Sequence, residues 1–355
     1  MQALVTVQHP AHVHFFRHAI GELEDRGHEV HVAALDKDVA LSLLDAYDID
    51  HTVLGTRSGS LVQVALSQAT IEARLVQLAR RLDPDVITAI GGLTAAHVGA
   101  ALGIRSVVFT DTEHARLSNR LTFPFADEVW TPDCYWHDEG ADHHRYPGFH
   151  ELAYLHPDRF TPDPAVLERR GVDPDERFVV LRLTGWDAVH DIGDSGLDGL
   201  PGLVRQLESR GASVYVTAEG ELPDALADRE LTVEPSEIHH LLAYADLFVG
   251  ESPTMATESA VLGTPAVYVH SQPLGYTDEL ADYGLLWGFH GDDRNARGAE
   301  RALELLDAAD TTDWDAHREQ LLAAKVDTTD VVVERLLGDV GATGTARTAT
   351  ARADD

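Results

Sequence analysis

Short apolar runs alternate with longer stretches of helical periodicity along most of the chain. In the first half, the apolar runs predict strands at residues 3–7, 29–35, 86–90, 106–109 and 128–130. Between the first two runs, apolar residues from Phe15 to Leu23 recur at helical spacing, and Gly27 suits the end of that helix. Alternation of this kind is typical of a parallel sheet covered by helices.

An irregular stretch containing several prolines, residues 156–164, separates a second series of the same kind. Its predicted strands are residues 178–183, 213–217, 247–249 and 266–269, again interleaved with helical patterns. We therefore predict two Rossmann-like α/β domains, residues 1–155 and residues 156–338. A ligand cleft is expected between them, at the carboxyl ends of the strands. Residues 339–355 lack periodicity and are expected to form a disordered tail.

Length and composition fit this two-domain interpretation. The chain has 355 residues, 44% of them hydrophobic, and no apolar stretch approaches the roughly 20 residues that span a bilayer. Its first residues run straight into a strand pattern without the features of a signal peptide, so we expect a cytoplasmic protein. The single cysteine, Cys134, lacks the neighbouring cysteines of a zinc or redox motif and is interpreted as structural.

The charge balance excludes nucleic acid as a partner. The chain has 60 acidic and 27 basic residues, for a net charge of -33. Binding to phosphate backbones requires a positive surface. Lys37 and Lys325 are the only lysines. This composition resembles that of proteins from salt-accumulating halophilic archaea, so we expect the charge to reflect the solvent and not the chemistry of the site.

The most informative motif is the segment of residues 250–269, which follows a predicted strand. Ser252 can cap a helix, and Pro253 and Thr254 suit its first turn, so free backbone donors and a partial charge of about +0.5 would suit a phosphate. Glu258, about one turn later, can accept hydrogen bonds from the hydroxyls of a ribose. The alternatives are an ordinary helix cap and a solvated helix face.

A second motif, residues 8–16, lies at the turn from the first strand into the first helix. His12 is a candidate general base, because imidazole titrates near neutral pH. His9 and His14 are candidate contacts for the acceptor or sugar, and a capping or purely structural histidine is the alternative. The spacing of these histidines matches no common zinc site, so we expect no metal.

Polar residues also follow the strand at residues 106–109. Glu113 is a second candidate catalytic residue, with a helix N-terminal acid as the alternative. The other candidates for the acceptor or sugar side are Asp111, His114, Arg116 and Asn119. Asp111 and Arg116 can alternatively pair with each other.

A fourth polar segment, residues 184–193, follows the first strand of the second half. Gly185, Trp186 and His190 are candidate contacts for a diphosphate, with Trp186 as a cover over the core in the alternative interpretation. The phosphate-binding signatures of dinucleotide oxidoreductases and P-loop enzymes do not occur in the chain.

Taken together, the four segments resemble the archaeal family known as domain of unknown function 354, up to about Leu337. That family is placed among GT-B proteins and carries a predicted glycosyltransferase label. The segment around Glu258 also resembles the nucleotide-binding motif of two GT-B families. They are the N-acetylglucosaminyltransferase that makes lipid II and the non-hydrolysing UDP-N-acetylglucosamine 2-epimerases, in which the matching glutamate binds the ribose.

The first-strand turn and the Glu113 segment resemble these families more loosely. His12 matches a histidine in a glycine-rich turn of the transferase, although residues 9–11 replace the glycines. Glu113 resembles, by position, a glutamate needed for catalysis in the epimerases. These enzymes also place a catalytic aspartate after the third predicted strand, where this chain has Gly91 and Gly92.

The resemblance implies a GT-B fold and a metal-independent glycosyltransferase without a cofactor. Its substrates would be a nucleotide-sugar and an unknown glycan or lipid-linked acceptor. Two alternatives stay open: an isomerase similar to the 2-epimerases, and a non-catalytic binder of nucleotide-sugars.

Overall fold

A computed structural model describes residues 1–37, 39–56, 61–183, 199–218 and 222–338, with the side chains of 61–66 excepted. The chain divides into two compact units. The first contains Met1–Tyr154 and the chain from Val326 onward, and the second is Leu155–Lys325. Each unit is built around one parallel sheet, with seven strands in the first and five in the second. The predicted tail, residues 339–355, lies outside the described part.

The first sheet has the order β3-β2-β1-β4-β5-β6-β7. Its strands are β1 (Gln2–Val7), β2 (Glu29–Asp36), β3 (His51–Thr56), β4 (Val86–Ile90), β5 (Arg105–Phe109), β6 (Glu128–Pro132) and β7 (His143–Tyr146). The five predicted strands are confirmed, and the sequence missed β3 and β7 because neither carries a continuous apolar run. The chain order reverses between β1 and β4, and ligands bind beside such reversals in open α/β sheets.

Helices cover the first sheet on two faces. They are α1 (Pro10–Asp25), α2 (Ala40–Ala46), α3 (Leu61–Leu82), α4 (Leu93–Leu102), α5 (Arg116–Thr122) and α6 (Leu152–Leu155). Leu4 of β1 and Ile87 of β4 pack in one core cluster with Leu75 of α3 and Val98 of α4. Because neighbouring side chains of a strand point to opposite faces, Ala3 faces the other side, where α1 contacts α2.

The second sheet has the order β12-β11-β10-β8-β9. Its strands are β8 (Phe178–Leu183), β9 (Ser213–Ala218), β10 (Leu247–Gly250), β11 (Ala266–Val269) and β12 (Leu286–Phe289). The described helices of this unit are α7 (Pro164–Arg169), α8 (Gly199–Glu208), α9 (Ile238–Tyr244), α10 (Pro253–Leu262), α11 (Gly275–Asp282), α12 (Arg294–Ala308) and α13 (Trp314–Ala324). Here the order reverses between β8 and β10, so a ligand is expected beyond the carboxyl ends of these two strands.

The last described helix, α14 (Thr328–Leu337), belongs to the first unit, whereas the sequence pattern assigns it to the second domain. It packs against α1. The Thr328 hydroxyl donates to the carbonyl of Phe149 at 2.7 Å, and the Thr329 hydroxyl donates to that of Ala153 at 2.6 Å. Buried carbonyls need such donors, and a contact this distant along the chain leaves no trace in local periodicity.

No helix in the described part of the chain combines the length and the apolar character that a membrane crossing requires.

Two glycines inside helices give a matched test of the packing. A Cβ on Gly99 of α4 would lie 2.9 Å from the backbone oxygen of Ile104 and 3.0 Å from the Cβ of Ser106, whereas a Cβ on Gly21 of α1 meets nothing within 4 Å. Both substitutions to alanine gain helix propensity, worth roughly 0.5–1 kcal/mol. Overpacking opposes that gain at Gly99 by about 1–3 kcal/mol.

We therefore expect Gly99→Ala to lower the free energy of unfolding by about 1 kcal/mol and Gly21→Ala to raise it by about 0.5 kcal/mol. Urea denaturation followed by circular dichroism measures both values. Equal stabilisation by the two substitutions would contradict the close approach of α4 to the sheet.

Candidate functional site

In the first unit, polar side chains collect where strands end. His9 and His12 follow β1, Asp111 comes two residues after β5, and His150 comes four residues after β7. Since the strands are parallel, their carboxyl ends lie along one edge of the sheet. The sequence predicted the first three of these residues and missed His150, which follows a strand without an apolar run.

A largely buried, hydrogen-bonded pair of side chains anchors this group. The Nδ1 atom of His150 lies 3.0 Å from the Oδ2 atom of Asp111, and the two side chains are 8% and 17% exposed. Burial opposes ionisation of Asp111, but the charge and hydrogen bond of His150 and the hydrogen bonds from Thr112 and the backbone together outweigh burial and lower the pKa of Asp111. The ring of Phe15 packs on His150 with 4.6 Å between the ring centroids. Asp111 is therefore a fixed anion.

The second nitrogen of His150 has no protein partner among the described residues. Its Nε2 atom is buried and makes no hydrogen bond to any of them. Because the Asp111 carboxylate holds a proton on Nδ1, the neutral ring would carry a lone pair on Nε2. In Ser-His-Asp enzymes a carboxylate likewise orients a histidine whose second nitrogen acts as a base. In this chain the second nitrogen of His150 is buried.

His12 stays uncharged at neutral pH. Burial first, and then the positive charges that His9 and His150 can carry, lower its pKa to about 3, while Asp111 acts in the opposite direction. The residue as a whole is only partly buried. The backbone N–H of Gln8 donates to Nδ1 at a long 3.4 Å.

The bond from Gln8 has a consequence for the chemistry of His12. In the tautomer that accepts it, the ring proton resides on Nε2, so Nε2 is a donor. Acting as a base through Nε2 requires the other tautomer. A hydrogen bond of 3.4 Å is weak, and giving it up costs at most about 1 kcal/mol.

Glu113 and Asn119 are buried around Tyr135. Asn119 donates through Nδ2 to the Tyr135 hydroxyl at 3.1 Å and to the Thr112 carbonyl at 3.4 Å. Burial and the negative charges of Glu139 and Glu113 raise the pKa of Tyr135. The two predicted site residues therefore support the loop after β5 from inside.

Two of the remaining predicted residues of this unit lie at the surface. His114 and Arg116 are exposed, and His114 lies edge-on to Trp136. The alternative pairing of Asp111 with Arg116 is wrong, since Asp111 pairs with His150.

His14, by contrast, is buried. Its ring stacks on Tyr154, and its Nδ1 atom lies 3.2 Å from the hydroxyl of Tyr47, which follows α2. These contacts favour a packing role for His14.

In the second unit, α10 begins where β10 ends. The Ser252 hydroxyl accepts a hydrogen bond from the Met255 backbone at 3.3 Å, and Pro253 occupies the first turn, so the predicted cap is confirmed. Thr254 follows in the same turn, which contains no acid. A Cβ on Gly250 would lie 2.9 Å from the Arg182 backbone oxygen, which explains why the turn starts with glycine.

Glu258 is buried in a pair with His239. The Oε1 atom of Glu258 lies 2.9 Å from Nε2 of His239, and the side chains are 5% and 1% exposed. The alternative of a solvated helix face is therefore wrong. The sequence missed His239, which lies on α9, the helix that packs against α10.

Two further histidines follow the neighbouring strands of this sheet. His270 comes directly after β11 and His290 directly after β12, and the Nδ1 atom of His290 donates to the His270 carbonyl at 2.6 Å. The ring of His270 stacks on that of Tyr268. Burial and then the charge of Glu251 raise the pKa of the Tyr268 hydroxyl, which keeps it protonated. The sequence did not single out either histidine.

Gly185, Trp186 and His190 lie in residues 184–198, outside the described part of the chain. Their contact with a diphosphate stays a prediction.

The low pKa of His12 predicts a pH dependence of stability. The unfolded chain binds a proton at His12 near pH 6.5, whereas the folded chain does so only near pH 3, so acid favours unfolding. Between about pH 8 and about pH 5, this difference should cost roughly 1–2 kcal/mol of unfolding free energy. His12→Asn should remove that loss, and denaturation at several pH values measures it. The exposed His114 supplies the control, since His114→Asn should keep the wild-type slope; an unchanged slope for His12→Asn would contradict the burial.

Comparison with known proteins gives the family and the fold. Residues 1–295 match the family described as protein of unknown function (DUF354). An uncharacterised protein of Methanocaldococcus jannaschii, MJ0665, is 25% identical over 275 residues, which cover 74% of this chain and 80% of that protein.

Two solved structures illustrate the fold. UDP-GlcNAc 2-epimerase from Neisseria meningitidis, bound to UDP-GlcNAc, has a TM-score of 0.63 and 13% identity, and the match covers 95% of this chain and 99% of the epimerase. The spinosyn rhamnosyltransferase SpnG has a TM-score of 0.61 and 14% identity over 95% of this chain and 100% of its own. The two parallel-sheet units have the GT-B fold that the sequence predicted, and the chain belongs to the DUF354 family.

Proposed function

We propose that this chain is a metal-independent glycosyltransferase that uses a nucleotide-sugar and needs no further cofactor. One observation carries the proposal: a partly buried, uncharged histidine, His12, lies in the field of a fixed carboxylate, Asp111, at the ligand edge of the first sheet. A neutral imidazole can accept a proton, and the carboxylate offsets part of the penalty that burial places on the resulting charge.

The second unit would bind the donor. The start of α10 offers backbone N–H groups and the positive end of a helix dipole, and no acid stands in its first turn to oppose a diphosphate. Glu258 would receive the ribose hydroxyls, with its carboxylate oriented by His239. The structures of similar fold include the epimerase with UDP-GlcNAc and SpnG with thymidine diphosphate.

The first unit would supply the proton acceptor. As the acceptor hydroxyl attacks the anomeric carbon, a C–O bond forms and the bond from that carbon to the diphosphate oxygen breaks. The hydroxyl proton passes to Nε2 of His12, in the tautomer that carries its first proton on Nδ1. Asp111 stabilises the imidazolium, and the backbone donors of α10 stabilise the departing diphosphate. The acceptor would be a glycan or lipid-linked sugar near His9, His114 and Arg116.

A second candidate, a nucleotide-sugar 2-epimerase, rests on the burial of Glu113. An acid that is 1% exposed beside Tyr135 is placed as proton-transfer groups are. Against it, the turn after β4 consists of Gly91 and Gly92, so the chain places no acid at this strand end. The transferase is therefore the stronger proposal.

Donor binding is tested at Glu258. Titration calorimetry in high salt should show uridine or thymidine diphosphate binding to the wild type. Glu258→Gln should weaken binding by about 1–3 kcal/mol, because the ribose hydroxyls lose a charged acceptor. As a control, Glu208→Gln removes a carboxylate that pairs with Arg229 in the same unit and should leave the affinity unchanged. If both variants have the melting temperature of the wild type and bind the nucleotide equally well, Glu258 does not contact the nucleotide.

The two reactions are separated by leaving out the acceptor. A transferase incubated with nucleotide-sugars alone should leave the stereochemistry of the sugar unchanged. Added cell glycolipid extract should then cause release of nucleoside diphosphate, which chromatography detects. His12→Asn should slow release by about 100-fold or more, the loss expected for a general base. A sugar epimerised at C2 without acceptor would establish the isomerase. If neither reaction gives a product and the nucleotide still binds, the chain is a non-catalytic binder.

A further inference from the structure

An exposed apolar surface lies on α5 and the turn that follows it. Leu117 is 74% exposed, Leu121 47%, Phe125 49% and the nearby Trp136 43%. We call these four residues the α5 face. Single exposed apolar residues are ordinary, but a group of four large ones at one place marks a surface that meets something other than water.

Defined contacts place the four side chains in one region of the surface. Leu117 and Leu121 are four residues apart on α5 and therefore lie on the same side of the helix. The Nε2 atom of His97 donates to the Leu121 carbonyl at 2.9 Å, and its ring lies edge-on to Phe125 at 4.8 Å. Trp136 is tied to the start of the same segment through its edge contact with His114.

The charge of this segment is opposite to that of the chain. Residues 116–126 contain two arginines and no acid, in a protein with 60 acidic and 27 basic residues. Arg116 and Arg120 are both exposed and stand four residues apart, so they lie on one side of α5 next to Leu117 and Leu121. The part of the α5 face on the helix is thus apolar with a basic border, whereas the exposed acids Asp133, Asp138 and Glu139 flank Trp136.

We propose that the α5 face docks on a membrane surface that contains anionic lipid headgroups. Leucine, phenylalanine and tryptophan side chains enter the boundary between headgroups and acyl chains, while arginines bind the lipid phosphates. The net charge of -33 does not prevent this approach, since salt at physiological strength screens charges beyond about 8 Å. The two arginines act within that distance.

Charge also argues against a second copy of this chain as the occupant. In a symmetric dimer each surface patch meets itself, so Arg116 and Arg120 would face the same arginines of the other copy. Four side chains are also few compared with the roughly 20–30 residues that each partner contributes to a stable interface. A membrane offers the complementary charge and an apolar layer together.

This docking does not depend on the proposed reaction, and its test needs no substrate. The full chain is mixed with phosphatidylcholine vesicles, with or without about 30% phosphatidylglycerol, and floated through a density gradient. The salt is the lowest at which circular dichroism shows a folded protein. We expect wild-type protein to float with the anionic vesicles and to bind the neutral ones with about 25-fold lower affinity. Each arginine contributes roughly a five-fold difference.

Two double variants separate the apolar and the charged contributions. Leu117→Ser with Phe125→Ser should weaken binding to both vesicles by about ten-fold or more. Arg116→Gln with Arg120→Gln should abolish the preference for anionic vesicles, so that this variant binds both kinds of vesicle as weakly as the wild type binds the neutral ones. The matched controls are the exposed pairs Val39→Ser with Val53→Ser and Arg80→Gln with Arg81→Gln, which should bind as the wild type does.

Three results would overturn the proposal: wild-type protein that floats with neither vesicle, apolar variants that bind unchanged, or controls that lose binding as much as the α5 variants. Size-exclusion chromatography of the Leu117 and Phe125 variant adds an independent readout. A wild-type dimer that this variant converts to a monomer would assign the α5 face to contact between copies instead.

Discussion

Every strand pair described in the two sheets is parallel, and this constraint determines where the chemistry of the protein lies. A parallel strand cannot be followed by a tight hairpin, so the chain crosses back through a helix or a longer loop and each strand ends at the same edge of its sheet. Residues that are far apart in sequence meet there without any local signal. In the first unit the edge brings His12 and Asp111 together, and in the second it places Ser252 on the same edge as the residues that follow β11 and β12.

The same constraint explains how much the sequence could predict. His12, Asp111 and Ser252 each come shortly after a strong apolar run, so the hydrophobic pattern alone placed them at a strand end. His150 follows β7, whose four residues include three polar or charged side chains, and no apolar run announces that strand. The sequence pattern therefore identified Asp111 as a candidate but not His150, the residue that pairs with its carboxylate.

The second unit shows a different limit. A helical period of apolar residues identifies the buried side of a helix, but it cannot distinguish a carboxylate in water from one that forms a hydrogen bond with a buried histidine. Glu258 and His239 lie on two helices, 19 positions apart, and each satisfies the other in the interior. Burial of either residue alone would carry a large desolvation cost, so neither position can be explained from its own helix.

The return of α14 to the first unit changes how the protein must be assembled. The carbonyls of Phe149 and Ala153 receive their hydroxyl donors from Thr328 and Thr329, which the ribosome makes only after the whole of Leu155–Lys325. The second unit is thus an insertion whose own fold is continuous in sequence. It can fold while synthesis continues, whereas the surface of α1 that α14 covers stays open until the last turns of the chain emerge.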